Sequence, residues 1–137
     1  MALNLDHEFP YELVPNVAVA IISRETGAHA EVEAIIGTGA DGSLFDVDIA
    51  TYFGLDLAAA DTVLFGGVVA GSAARGRSHA VEVQLLSQPS LSVIITVTFA
   101  ENVAATCGNL LGLNFLSSVD FGLSHAARLG YLGRVAT

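Results

Sequence analysis

The sequence predicts an all-β fold with one or two short helices, and three observations lead there. Segments rich in Val, Ile, Thr and Phe recur along the chain, several with strictly alternating polarity, as half-buried strands require. Turn residues separate them, chiefly Gly, Pro and Asn. Apolar residues at helical spacing are confined to Asp46 to Phe53 and to a short turn before Leu116.

Taken in order, residues 1–15 contain Pro10 and Pro15 and read as an extended arm, of a kind that often pairs with a partner subunit, with regular structure starting near Asn16. Asn16 to Ser23 and Ala28 to Ile36 flank the turn Glu25-Thr26-Gly27 and form a predicted hairpin. His29, Glu31 and Glu33 then share one strand face, which is the ordinary outer face of such a strand and only secondarily a metal constellation. Asp6, His7 and Glu8 are consecutive and belong to a solvated tail. After a glycine-rich turn, Asp46 to Phe53 is a short helix with Gly54 as its stop. Asp46 and Asp48 suit its N-terminus, where the helix dipole favours negative charge.

Residues 62–86 form a second, longer hairpin: Thr62 to Phe65, a small-residue middle containing Gly66, Gly67 and Val68, and the alternating run Ser78 to Leu85. Leu91 to Ala100 is the most apolar strand, too apolar for an unprotected edge. Gly108 to Leu116 gives a strand end, a glycine and a helical turn. Val119 to Ser124 and Arg128 to Gly133 are the last strands. His79 and His125 lie outside any nucleophile pattern and read as structural or surface histidines.

The composition narrows the function. At 137 residues the chain is one domain, 1–137, able to bury a core without disulfide or metal support. It is 53% apolar and 14% charged, so part of its surface is expected to be covered by another subunit. The formal charge of -9 comes with five arginines and no lysine, which argues against nucleic acid or an anionic membrane as partner. No basic start leads into an apolar core, and no uncharged run is long enough to span a bilayer, so the cytoplasm is the default expectation. Cys107 is the lone cysteine and reads as a small, buried apolar residue.

Glu33 to Phe45 is the stretch to which chemistry points. Gly37-Thr38-Gly39-Ala40-Asp41-Gly42 satisfies G-x-G-x-x-G between a strand and a predicted helix, the local context of a dinucleotide site. The larger context disagrees, because the chain beyond Gly54 is built of hairpins and not of alternating strands and helices. The glycine spacing from Gly66 to Gly71 also imitates part of a phosphate loop, but a chain without lysine lacks that motif's cation. No cofactor and no metal are expected.

The segment Ala34-Ile-Ile-Gly-Thr-Gly-Ala-Asp-Gly-Ser-Leu-Phe45 resembles the active-site segment of retropepsin-like aspartic proteases, in which two apolar residues lead into Asp-Thr-Gly-Ala. Gly37 stands where that family has its catalytic aspartate. Leu110-Leu-Gly-Leu-Asn-Phe-Leu116 is similar to the family's second signature, and the hairpin 62–86 holds the place of its flap. The resemblance implies a closed, barrel-like subunit and a homodimer, since each subunit contributes one aspartate to a dyad that shares a proton. It implies an extended peptide or unfolded protein as substrate.

By the same resemblance Thr38 bonds across the dimer axis, and Gly39 lets the two loops approach. Ala40, Asp41, Gly66, Gly67 and Val68 contact substrate. Gly37 removes both carboxylates of a symmetric dimer, so the present chain is expected not to cleave by this mechanism. Gly37 is then either a disabling change or the natural state of a non-catalytic peptide-binding module. Leu113 replaces an arginine that supports the acidic residue in many retroviral members, leaving Arg75, Arg77, Arg128 or water as partners for Asp41.

Overall fold

The computed structural model describes residues 3–56, 62–65 and 74–134. The described residues contain ten strands and three helices: β1 (His7–Pro10), β2 (Asn16–Ser23), β3 (His29–Ile36), β4 (Ser43–Asp46), α1 (Val47–Phe53), β5 (Thr62–Phe65), β6 (Ala74–Leu85), β7 (Ser92–Ala100), α2 (Val103–Thr106), β8 (Leu110–Leu111), α3 (Leu113–Leu116), β9 (Val119–Ser124) and β10 (Leu129–Arg134). The all-β expectation holds.

Six strands close on themselves in the order β2-β3-β8-β4-β7-β6, and β6 returns to pair with β2. Closure leaves these strands without free edges, which is how a chain this apolar avoids edge-to-edge association along its barrel. β5 lies outside the ring, antiparallel to β6, with Phe65 opposite Ala74. The tip of that hairpin, including Gly66, Gly67 and Val68, lies outside the described residues.

Alternation explains the inward faces. Ile95, Val97 and Phe99 of β7 are buried, as are Val81, Val83 and Leu85 of β6, and all join one core with Phe45, Leu111 and Phe115. Full burial of each such side chain contributes roughly 1.5–3 kcal/mol before entropy is counted. β7 lies between β4 and β6, as its composition requires, but its outer face is open and Ile94 is 58% exposed.

Regular structure starts earlier than the prolines suggest. β1 pairs antiparallel with β10, His7 opposite Leu132, so at least this part of the arm pairs within its own chain. The side-chain reason is Phe9, whose ring covers Gly130 on the neighbouring strand; a Cβ at Gly130 would collide with Phe9 Cζ. An aromatic ring over a strand glycine restores the packing the glycine lacks. β9 completes a three-stranded sheet in the order β1-β10-β9.

α1 begins and ends as its residues dictate. Asp46 is the N-cap and accepts the Asp48 amide at 3.0 Å, and Gly54 closes the helix in the left-handed conformation at φ 73°. The second Asp46 oxygen accepts the Ala104 amide of α2 at 2.8 Å, so one buried carboxylate holds two helices to the end of β4.

Candidate active site

β3 ends at Ile36 beside the two-residue strand β8, and this parallel pairing places Gly37. The Gly37 amide donates to Leu111 O at 2.9 Å, and the Ala40 amide turns back toward Gly37 O at 3.4 Å. Residues 37–42 therefore form a tight loop over the start of α3. A helix start presents amides with no partner inside the helix. Here Leu113 N donates to Ala40 O at 2.7 Å and Asn114 N to Asp41 O at 3.0 Å, so the loop's carbonyls satisfy them. The third neighbouring amide, Gly112 N, donates to Ser43 Oγ at 3.0 Å.

Ser43 is buried and its hydroxyl donates to Asn114 Oδ1 at 2.7 Å, while Asn114 Nδ2 donates to Thr96 O at 2.8 Å. Asn109 works on the other side of β8: its Oδ1 accepts the Asp46 amide at 3.0 Å and its Nδ2 donates to Glu33 O. Ser43, Asn109 and Asn114 are site residues that pattern reading misses. The available signal is that Asn109 and Asn114 are the polar residues of an otherwise apolar segment. Asn114→Ala is expected to cost about 1–3 kcal/mol, because it strands a buried hydroxyl and a carbonyl. Urea unfolding measures this, and the Ser43→Ala/Asn114→Ala pair should cost clearly less than the sum of the single changes. Strict additivity would disprove the network.

The two glycines that matter most here differ in kind. A Cβ on Gly112 would collide with Gly42 O and lie 2.7 Å from Ala40 O, so the loop and the helix start meet only because Gly112 has no side chain. Gly37 is under no such demand. Its φ is outside the left-handed region, and a Cβ there would meet only the Leu110 side chain, with Cδ1 at 2.6 Å, the far end of a flexible group.

The expected site residues are thus brought together in part. Gly37, Thr38, Gly39, Ala40 and Asp41 form one loop, with Thr38, Gly39 and Asp41 exposed and open space where a Gly39 Cβ would be. Leu113 is 41% exposed beside them. Arg128 stands against His125 and not against Asp41. The turn is followed by a strand, β4, before α1 begins, so the loop does not lead directly into a helix as a dinucleotide site requires.

Other candidates have structural partners. His29, Glu31 and Glu33 line the exposed face of β3. His79 Nε2 lies 3.3 Å from a Glu25 oxygen, and His125 stacks on Tyr11 and shares a 2.9 Å hydrogen bond with its hydroxyl. No group of three His, Cys, Asp or Glu among the described residues is placed to hold a metal. Cys107 is half-buried, and burial pushes its thiol above the usual pKa, away from thiolate chemistry. No helix among the described residues is long and apolar enough to cross a membrane.

Comparison with known proteins gives the class. No protein-family model and no curated protein matches the sequence. Solved structures do match the fold. A retropepsin-like aspartic protease from Rickettsia conorii superposes with a TM-score of 0.60 at 12% identity, over 100% of this chain and 99% of that one. The EIAV protease complexed with the inhibitor HBY-793 superposes with a TM-score of 0.52 at 16% identity, over 80% of this chain and 92% of that one. The chain has the retropepsin-like fold, a closed barrel with the Gly37 loop hydrogen-bonded to the start of α3.

Proposed function

We propose that this chain is the subunit of a retropepsin-like homodimer that holds an extended peptide or unfolded segment in a cleft on the two-fold axis. In this reading the chain descends from an aspartic endopeptidase, and it does not cleave because Gly37 occupies the position of the dyad aspartate. The observation that carries the reading is the environment of Gly37. Neither backbone conformation nor close backbone packing demands glycine there, whereas both loop and scaffold are held by the hydrogen bonds from Gly37, Leu113 and Asn114. A residue that the fold does not require, at the position where the family has its carboxylate, supports loss of that group over a structural need for glycine.

In the dimer, Thr38 bonds across the axis and the space around Gly39 is filled by the partner loop. Ala40 and Asp41 hold the peptide main chain from below, and the hairpin 62–86, through Gly66, Gly67 and Val68, covers it from above as an added strand does. A charge of -9 without lysine is compatible with this and opposes nucleic acid as ligand.

The test is to return the carboxylate. A Gly37→Asp chain that is folded and dimeric should hydrolyse unfolded protein in acid, and pepstatin-like inhibitors should block it. The same chain inert toward a broad peptide library would remove the protease reading. The alternative of a natural binding module has its own support in the Leu110 side chain, which fills the space of the missing group. That alternative predicts saturable binding of extended apolar peptides by the present sequence, measured by calorimetry, and no gain on restoration.

A further inference from the structure

The ring of six strands has no outer edge, but its closure is briefest between β3 and β8, where only Ile35 and Ile36 of β3 find strand partners. The ladder with β2 shows which way the rest of β3 points. In an antiparallel pair, alternate residues bond the partner strand and those between them point away from it. Ser23 N donates to Ala28 O at 2.8 Å, which fixes the phase: Ala30 and Val32 bond β2, opposite Ile21 and Val19, and the main chains of His29, Glu31 and Glu33 point away. Ile35, next in that series, donates to Asn109 O at 2.8 Å, and the Glu33 carbonyl accepts Asn109 Nδ2. Among the described residues no group bonds the main chain of His29 or Glu31 on that side.

These open groups border a cleft of about 540 Å³, within the range of ligand-sized clefts. Its walls are His29, Ala30 and Glu31 of β3 and Asp48, Ile49 and Tyr52 of α1. Residues from both faces of β3 line it and none from β2 does, so it runs along the open edge of the strand. The floor is apolar, since Ala30 and Ile49 both pack on the core. Glu31 and Asp48 stand exposed on opposite walls, and no cation among the described residues pairs with either. Other carboxylates are engaged: Asp46 caps α1, Asp120 holds the Asn4 amide and Glu82 accepts from Ser92. Tyr52 is 69% exposed, a large aromatic ring left at the mouth of an acidic cleft.

We propose that this cleft takes an extended, basic segment of a partner polypeptide, which adds to the open edge of β3 as a strand and lays an arginine side chain between Glu31, Asp48 and the ring of Tyr52. Charge complementarity names the occupant. Like charges on facing walls repel until a cation lies between them. A guanidinium meets a carboxylate and an aromatic face at once, and its alkyl stem suits the apolar floor. No group of three ligands among the described residues is placed to hold a metal instead. A second copy fits poorly: pairing β3 with its own copy about Glu31 or Val32 sets carboxylate against carboxylate, in a chain of charge -9 without lysine. The site stands apart from the Gly37 loop, since Glu31 lies roughly 20 Å along the chain from Gly37 at strand rise. The inference rests on neither the dimer nor the missing aspartate.

The experiment is an NMR titration of the full chain at low ionic strength with two blocked peptides, Val-Arg-Val-Arg-Val and Val-Glu-Val-Glu-Val, followed by hydrogen exchange. The basic peptide should saturate its site and slow exchange at the amides of His29, Glu31 and Glu33, which point into the cleft. Those of Ala30 and Val32, already bonded to β2, should keep their rates. Glu31→Gln combined with Asp48→Asn is expected to weaken binding about tenfold or more, and Tyr52→Ala several-fold. All three side chains are exposed, so circular dichroism and thermal midpoint should match the parent. A basic peptide that fails to bind at about 1 mM, or binds the double variant equally well, would overturn the proposal. Equal binding of the acidic peptide would do the same. Protection of these amides that rises with protein concentration in the absence of peptide would assign the edge to a second copy. Peptide shifts confined to residues 37–41 would overturn this site while supporting the cleft proposed above, and shifts confined to β3 and α1 would support this site alone.

Discussion

On the proposed reading, Gly37→Asp is expected to yield a chain that cleaves unfolded polypeptide in acid, with a gain of about 10³-fold or more over the parent's background. General acid–base catalysis by positioned groups supplies about 10²–10⁴-fold, and in the proposed symmetric dimer both groups of the dyad return together. The scaffold for them is in place. Gly37 N is anchored to Leu111 O, the backbone accepts an L side chain, and the one obstruction, Leu110 Cδ1 at 2.6 Å, can rotate away. The expected pH dependence follows from charge. Two carboxylates a few ångströms apart resist double ionisation, so the active form holds one proton between them. Activity should be highest in acid and fall as pH rises and the second proton leaves. A rate that instead rises toward neutrality would point to a different base.

Gly112→Ala should have the largest effect on stability, with a loss of about 3 kcal/mol or more, enough to unfold a marginal domain. The methyl group would collide with Gly42 O and lie 2.7 Å from Ala40 O, and both obstacles are backbone. Relief requires the Gly37 loop to lift from α3, which breaks the Leu113–Ala40 and Asn114–Asp41 bonds that hold it. Thermal unfolding and expression of soluble protein report the loss. A Gly112→Ala chain as stable as its parent would mean that loop and helix do not meet in this way. Combined with Gly37→Asp, the change should also abolish any recovered cleavage, since the carboxylates would no longer be aligned.

The hairpins were legible because both their signals are local. Val, Ile and Ala content in β2, and alternation in β3 beyond Glu25-Thr26-Gly27 and in β6, specify strands without knowledge of anything distant. The Asp46 cap and Gly54 stop are local for the same reason. The hidden features depend on partners far along the chain. β4 is a four-residue strand buried at every position, so it has no alternation to reveal it. α2 follows Asn102, which makes no side-chain capping bond, and offers no start signal. Ser43 reads as a turn residue until Asn114, 71 positions away, is seen to accept its hydroxyl. The turn after β3 was legible as a loop, but its glycines could not be told apart in sequence. Only the structure shows the contrast between Gly37, where a Cβ would meet a flexible side chain, and Gly112, where it would meet backbone.

The pairing of β1 with β10 has a consequence for how the molecule is made. Residues 8–131 lie between His7 and Leu132, so this contact has one of the longest loops to close and cannot form until β10 has left the ribosome. The barrel strands from β2 to β8 are complete before then and can close around Phe45 and Phe99 first. Pulse-labelled hydrogen exchange during refolding should therefore find the β2, β6 and β7 amides protected ahead of those in β1. Simultaneous protection would contradict that order. A nascent chain would carry β1 unpaired until β10 is synthesised, with Phe9 uncovered until Gly130 arrives to receive it.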